Sequence, residues 1–386
     1  MKRKSFFLLM FAALVIGFAA CSNDDVPVQE GDSNDTSPAY TLITKGVFVL
    51  NNGSSYQSID GSLTYIDYTK DHNSNLDEYK QVNGRSLGGD PSDVIVYGEK
   101  VYIVGSDENT IFILHVRTRR EINQVSTTAL LGDAEGKTPR RIVAYDGQVY
   151  FTTHGGYVAA IDTINFALQQ KYRVGSAPEG LAFGERETLY VANSDWGYGN
   201  GSISKIDITT GIATEIRNDK VMYPQEIAVI GDALYVLDWG YYSDDWCQLL
   251  DAGVYMIRGN DAQLVVPNAT GMAVAGYMIY TFNDPLGVTG PTYSTYDICS
   301  NHLSTLNLNG DATHRLVSPS AISVDQNTGY IYIASRQLDP DTGSVSEGLP
   351  GFVNVYDNTG QFLKSFDTGV EPHKIEFYYD LQRYAY

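Results

Sequence analysis

The sequence predicts an all-β protein: a seven-bladed β-propeller with four antiparallel strands per blade, whose C-terminal strand pairs with the N-terminal blade to close the ring. Three observations lead to this prediction. A motif of a proline, two mostly polar or small residues and an apolar strand recurs along the chain. Each copy starts a unit of about 45 residues with several short strands, which is typical of a propeller blade. The two chain ends hold complementary parts of one further unit.

The recurring motif predicts the first strand of each blade. A proline suits the first position of a strand, because no backbone amide donor is needed there. One copy has lost the proline. The seven anchors are Pro91, Pro139, Pro178, Pro224, Ala269, Pro319 and Pro372.

The segments after each anchor predict the remaining strands. A polar turn such as YGEK or YDGQ leads to a second strand such as VYIVG or VYFTT, and a loop then leads to a third, such as TIFILHV or YVAAID. Near the N-terminus, GVFVLNNG and GSLTYIDY resemble second and third strands without a first, and the C-terminal PHKIEFYY is a first strand without followers. Pairing the ends completes a seventh blade and removes exposed strand edges. Alternating strands also suit other all-β folds, but a sandwich or solenoid leaves these fragments unexplained.

The N-terminal segment is predicted to direct export. Residues 1–20 have a basic start, an apolar run and small residues before Cys21, as in a secretory signal peptide. A cysteine in this position predicts lipidation at Cys21, and an ordinary signal peptide with a chance cysteine is the alternative. Residues 21–40 are predicted to be the lipidated cysteine and a disordered acidic tether, and residues 41–386 a single propeller domain.

The charge of the chain argues against some partners. The formal net charge is −20, and removal of Lys2, Arg3 and Lys4 with the signal peptide makes it −23. Nucleic acid and a bare anionic membrane surface are therefore not expected to bind.

The long loops between second and third strands are predicted to carry function. Strand direction alternates in a blade, so these loops and the anchors share one face of the ring. They span residues 51–61, 193–201, 238–253, 282–301 and 335–351, and contain all three tryptophans. Aromatic side chains on a rigid scaffold favour a recognition surface, although some could simply pack their own loops together. The predicted ligand-binding residues are Tyr56, Asp93, Arg140, His154, Trp196, Tyr198, Gln225, Trp239, Tyr241, Trp246, Phe282, Arg336 and His373. Tyr242 and Tyr293 are expected in the aromatic wall, and Arg141, Glu179, Glu226 and Lys374 in the floor near the axis.

The two cysteines of the mature chain are predicted to form a disulfide. Cys247 and Cys299 are expected in loops of adjacent blades on the same face, where a bond would stiffen the recognition loops.

Catalytic and metal-binding signatures are missing from the sequence. The six histidines lack metal-type spacing, and there is no nucleophile elbow or phosphate loop. His154 and His373 could act as acid, base or axial ligand, but a hydrogen-bonding role is the simpler interpretation. Asp339 and Asp341 resemble the start of a calcium loop, but the spacing is incomplete and an acidic turn is the preferred interpretation. We therefore expect no enzyme activity, no metal site and no required cofactor.

The strand motifs and the leader resemble a known group of proteins. The opening GVFVLNNGS, the repeated anchor strands and the acidic segment after Cys21 are similar to YncE-like, surface-layer-type propeller lipoproteins of Bacteroidetes, with the nearest resemblance to the BtuG family of cobalamin-capturing surface lipoproteins. This resemblance implies a lipid-anchored protein exposed on the outer membrane. It also implies a corrinoid as bound ligand and a BtuB-like TonB-dependent transporter as partner. Asn52, where the family more often has an acid, departs from the pattern.

Three classes of function remain open at the level of sequence. The first is capture of a corrinoid for an outer-membrane transporter. The second is a surface-layer or adhesion propeller that binds protein or glycan with the same loops. The third, a propeller lyase or lactonase, requires a metal or histidine-centred site that the sequence does not reveal.

Overall fold

The structure, a computed structural model, describes residues 40–70, 73–243, 249–284, 290–309 and 315–383. These residues form seven blades of four antiparallel strands, arranged as a propeller ring. The predicted fold class is therefore confirmed. Blades one to six are numbered along the chain from the blade that begins at Pro91, and blade seven is the closing blade.

The first strand of each blade is the innermost, and most neighbouring first strands contact one another. Within each blade, the second, third and fourth strands follow outward. In blade seven, the first strand comes from the C-terminus and the other three from the N-terminus. In blade order, the first strands are Pro91–Tyr97, Pro139–Tyr145, Pro178–Phe183, Pro224–Ile230, Gly271–Ala275, Ser318–Val324 and Pro372–Arg383. The second strands are Lys100–Gly105, Gln148–Thr153, Thr188–Asn193, Ala233–Asp238, Met278–Asn283, Ile331–Arg336 and Tyr40–Asn51. The third strands are Thr110–His115, Tyr157–Asp162, Ser202–Asp207, Gly253–Arg258, Thr292–Asp297, Pro350–Tyr356 and Ser62–Asp67. The fourth strands are Glu121–Ser126, Leu168–Arg173, Ile212–Ile216, Asp261–Pro267, His302–Thr305, Phe362–Val370 and Asn73–Asn75.

Short elements lie in the connections between strands. None of the helices in the described ranges is long and apolar enough to cross a membrane. The elements are the helices Glu78–Asn83 and Thr127–Leu131, the 3₁₀ turn Asp195–Gly197, and a small hairpin of Tyr241–Tyr242 with Leu249–Leu250.

The hydrophobic core lies between blades. One cluster joins Ile111 and Ile113 of blade one to Ile142, Val149 and Phe151 of blade two, all of them buried. Both faces of the central strands are therefore covered by neighbouring sheets. This explains their nearly continuous Val, Ile and Tyr content, because a strand with two buried faces has no solvent side.

Ring closure is confirmed by the pairing of the chain ends. Val47 lies opposite Phe377 and Val49 opposite Ile375 in the antiparallel pair. A polar contact with blade six adds to this pairing, because the Thr44 hydroxyl donates to both carboxylate oxygens of buried Asp325 at 2.8 Å.

The prediction of one long loop over residues 282–301 is wrong. The segment contains the third strand of blade five, Thr292–Asp297, and the turn after it, so these residues do not belong to a loop between the second and third strands. Tyr293, which was expected in the aromatic wall, is buried opposite Phe282 in the blade. The two tyrosines of TYSTYD are three residues apart and the other residues are polar, so the segment lacks the period-two apolar pattern that identifies a strand. Cys299 lies in the next turn, on the opposite face from the recognition loops.

The closing contact can be tested with Thr44→Val, which keeps the side-chain shape and removes the donor. We expect the free energy of unfolding to fall by about 2 kcal/mol, because the buried carboxyl group of Asp325 loses its hydrogen-bond donor. Urea denaturation followed by tryptophan fluorescence measures this loss. Thr214→Val, on an exposed fourth strand, is the control. An equal effect of the two substitutions would contradict a role in closure.

Candidate functional site

A cavity of about 770 Å³ lies on the ring axis. Its walls come mainly from the first strands, and it runs from Asn52 and Trp239 at the long-loop face to Gly98 and Gln326 in turns at the other face. This volume lies within the range of small-molecule sites. The cavity and the loops around its mouth form the candidate site.

Irregularities at the anchors place charged side chains around this cavity. In five blades, the strand register shifts directly after the proline, for example between Pro224 and Glu226. A bulge of this kind lets consecutive residues reach the same side of a strand. Arg140 and Arg141, and likewise Gln225 and Glu226, accordingly line the cavity as neighbours in sequence.

A charged cluster joins blades two and three beside the cavity. The Glu179 carboxylate lies 3.1 Å from Nε of Arg140 and 2.8 Å from Nε2 of His154. Arg140 also contacts the Asp90 carboxylate at 3.2 Å, and Nε of Arg141 lies 4.0 Å from Glu179. Burial by itself would raise the pKa of Glu179, but Arg140, the His154 hydrogen bond and Arg141 together lower it to about 2. Glu179 therefore stays ionised and holds the two arginines in position.

A second charged group lies on the closing strand. Nζ of Lys374 contacts the buried Asp93 carboxylate at 3.2 Å, and Asp93 raises the pKa of Lys374 against the effect of burial. His373 donates from Nε2 to the Ser92 carbonyl oxygen at 3.2 Å. Burial, followed by the charge of Arg141, lowers the pKa of His373 to about 3, so its ring is neutral at physiological pH.

Ring side chains lie beside the cavity on the long-loop face, from blade two to blade four. The Trp196 ring packs edge-on against His154, with 4.2 Å between ring centroids, and Tyr223 packs against Trp239 at 5.6 Å. Gly197, next to Trp196 in sequence, lies close to the Tyr223 ring, and a Cβ at this position would be only 3.0 Å from it. The absence of a side chain lets the two aromatic pairs approach each other. We call Trp196, Tyr223 and Trp239 the aromatic arc.

Buried Asp238 holds two parts of this arc together. Its carboxylate accepts the backbone N–H groups of Tyr223 at 3.1 Å and Gly240 at 2.7 Å. Trp239 follows Asp238 in sequence and donates its indole N–H to the Thr270 carbonyl oxygen at 3.0 Å. The stretch DWGYY thus begins with a structural carboxylate and an anchored indole, and its two tyrosines form the hairpin strand beyond them.

The structure brings several predicted residues together and separates others. Arg140, Gln225, Trp239, Phe282 and His373 line the cavity, and His154 and Trp196 contact each other next to it. Tyr56 and Tyr198, 82% and 79% exposed, extend from loops of the same face, and Tyr241 is 40% exposed. Asp93 is buried against Lys374.

Other predicted residues lie away from this group or outside the described ranges. Arg336 binds the Ser318 hydroxyl at 2.7 Å and pairs with Asp284 at 3.6 Å, across the ring from Arg140. Trp246 and Cys247 lie outside the described residues, so the Cys247–Cys299 disulfide stays a prediction, as does lipidation of Cys21.

Sequence reasoning missed Tyr223 and Thr270. Each directly precedes the first strand of a blade, and Thr270 also lines the cavity. Their proximity to the anchors was the available signal. Within the described ranges, no group of three or more His, Cys, Asp or Glu side chains is arranged to hold a metal ion.

Comparisons with known proteins support the fold. Residues 45–195 match a family model described as "Domain of unknown function (DUF5074)". No curated protein sequence matches the chain. A quinonprotein alcohol dehydrogenase-like protein from Bacteroides thetaiotaomicron is similar in structure, with a TM-score of 0.58, 16% identity and coverage of 86% of this chain and 78% of that one. Kuenenia stuttgartiensis hydrazine synthase has a TM-score of 0.53 and 15% identity, with coverage of 69% of this chain and 76% of that one. The WD40 repeats of RRP9 have a TM-score of 0.52 and 10% identity, with coverage of 74% of this chain and 84% of that one. At these identities the likeness concerns the fold alone.

The charged cluster can be tested with Glu179→Gln. We expect a loss of about 3 kcal/mol in the free energy of unfolding at pH 7, because Arg140 and Arg141 lose a buried counter-charge. The pKa of Glu179 is lowered on folding, so its contribution is complete above the ordinary value of 4.5 and is lost as the pH falls toward 2. The difference between wild type and variant should therefore shrink between pH 5 and pH 2.5. Denaturant titrations across this range, with Asp232→Asn as the exposed control, measure it. A difference independent of pH would contradict the assignment.

Proposed function

We propose that this protein is a cell-surface lipoprotein that captures a corrinoid on its long-loop face and passes it to a TonB-dependent outer-membrane transporter. The observation that carries the proposal is the gathering of aromatic side chains on one face, around the mouth of the axial cavity. Trp and Tyr offer a large contact area with little conformational entropy to lose, and each has a polar edge for hydrogen bonding.

The chemistry of a corrinoid suits this face. A corrinoid is large, has broad flat sides and is rimmed with amides. Its flat side can lie on the rings of the aromatic arc, and its amides can meet the polar groups at the mouth. Trp196 is 52% exposed, so its ring offers a surface that the fold itself leaves uncovered.

The site also favours binding over catalysis. Glu179 is held ionised by two arginines, and His373 donates its only N–H to a backbone carbonyl. These groups are committed to partners within the protein. We therefore propose a binding protein that needs no cofactor, with the corrinoid as ligand.

The proposed location at the outer membrane rests on the N-terminal leader, and the proposed transporter partner rests on the net negative charge of the chain. Lipidation at Cys21 would tether the propeller to the outer membrane through the acidic segment of residues 22–40. A chain of this acidity suits a basic rim on a transporter.

Titration of the domain from residue 40 onward with cyanocobalamin tests ligand capture. We expect tight one-to-one binding by calorimetry, and a loss of affinity of at least tenfold in Trp196→Ala, because the variant removes an exposed aromatic contact. The control is Ile164→Ala, which removes a side chain that is 76% exposed in a turn on the opposite face. Absence of binding at high micromolar ligand would overturn the corrinoid proposal and turn attention to a protein or glycan partner.

The proposed anchor has its own test. In cells fed an alkyne-tagged palmitate, the full-length protein should carry the label, and Cys21→Ser should abolish it, because no other side chain can take the thioether lipid at this position. Labelling of the serine variant equal to wild type would exclude lipidation at Cys21.

A further inference from the structure

The axial cavity has two chemically different walls. Blades five and six contribute apolar side chains, among them Met272, Phe282 and Ile322. Blades two, four and seven contribute Arg141, Glu226 and Lys374. A ligand group that enters the cavity therefore meets hydrocarbon on one side and charge on the other.

Most of the charge in the polar wall is already balanced by partners. Lys374 is paired with Asp93, and Arg140 with Glu179 and Asp90; none of these three carboxylates lines the cavity. The Glu376 carboxylate also lines the cavity and accepts the Val96 backbone N–H at 2.9 Å. The guanidinium of Arg141, which reaches Glu179 only at 4.0 Å, and the carboxylate of Glu226 keep hydrogen-bonding capacity for a ligand.

These two groups are incompletely hydrogen-bonded. Arg141 donates from Nη1 to the Ser92 carbonyl oxygen at 2.6 Å, but its buried Nε–H has no hydrogen-bond acceptor among the described residues. Glu226 has no hydrogen bond or ion pair within the described part of the chain. Burial lowers the pKa of Arg141, but the charges of Asp93, Glu179 and Glu226 raise it, and the net effect is a rise. Glu226 is therefore close enough to interact electrostatically with the guanidinium.

A donor and an acceptor of opposite charge, facing one space, select a neutral group that both donates and accepts. A ligand carboxylate would be attracted by Arg141 but repelled by Glu226. A ligand ammonium group would be attracted by Glu226 but repelled by Arg141. A primary carboxamide satisfies both through its C=O and its NH₂. The apolar wall suits the methylene stem that carries such a group.

We infer that the axial cavity is a subsite for a carboxamide on a short apolar stem, in which Glu226 accepts from the amide NH₂ and Arg141 donates to the amide oxygen. The inference deepens the proposed function and rests on it for the identity of the whole ligand. An amide side arm of the ligand would enter the cavity while its flat body lies on the aromatic arc.

Small probes test the cavity without assuming the whole ligand. Butyramide and butyrate have the same stem and differ in the head group, and saturation-transfer NMR reports their binding to the soluble domain. We expect butyramide to bind at least tenfold more tightly than butyrate. Glu226→Gln should narrow this preference, because it removes the charge that repels butyrate. Glu185→Gln, the same change of charge in an exposed turn of blade three, should leave the preference unchanged.

The whole ligand provides a second measurement. Cyanocobalamin should bind about tenfold more tightly than its monocarboxylic acid derivatives, and Glu226→Gln should reduce that ratio. Ala321→Met, which extends a side chain into the cavity from blade six, should weaken cyanocobalamin if an arm enters. Circular dichroism confirms that each variant is folded.

The outcomes separate the two proposals. If cyanocobalamin binds but its affinity and amide preference are unchanged in both Glu226→Gln and Ala321→Met, the subsite is overturned and capture on the face stands. If cyanocobalamin does not bind but butyramide is preferred in a manner that depends on Glu226, the corrinoid proposal fails and the carboxamide subsite stands. No preference for butyramide over butyrate overturns the subsite.

Discussion

The antiparallel pairing of Pro372–Arg383 with Tyr40–Asn51 is the constraint on which the rest of this structure depends. Each blade buries its two faces against neighbouring blades, so an open ring would expose the apolar faces at both ends. Closing the ring costs the entropy of joining segments more than 300 residues apart. The buried contacts along the two strands, together with the Thr44–Asp325 hydrogen bonds, offset that cost.

Closure also creates the axial site. The strand that closes the ring carries His373 and Lys374, and it places them beside residues of blade one that lie about 280 residues earlier. The cavity therefore exists only when the ring is shut, and its polar wall combines both ends of the chain. Stability and binding are linked in this architecture, because a defect in closure removes one wall of the site.

The polar wall is organised by carboxylates that the protein uses internally. Glu179, Asp93 and Asp238 each hold cations or backbone amides in place, and all three are buried. Such groups keep the surrounding arginine, lysine and aromatic side chains ordered before a ligand arrives, which lowers the entropy lost on binding. Glu226 stands apart because it faces the cavity with no hydrogen bond or ion pair among the described residues, although its charge raises the pKa of both Arg141 and Lys374. The contrast between committed and uncommitted carboxylates directs attention to this side chain.

Sequence alone determined the fold, because the proline anchors, the strand spacing and the complementary ends are local and repetitive signals. It also located the aromatic loops on one face, since alternating strand direction decides which connections share a rim. It failed in blade five, because the largely polar strand Thr292–Asp297 lacks a period-two apolar pattern. Only the tertiary structure decided that His154 contacts Trp196, that Tyr223 belongs to the aromatic arc, and that Lys374 is neutralised by Asp93. The His154–Trp196 and Lys374–Asp93 contacts join neighbouring blades, so they depend on the bulges at the anchors and on the packing angle of neighbouring sheets, which no local pattern in the sequence encodes.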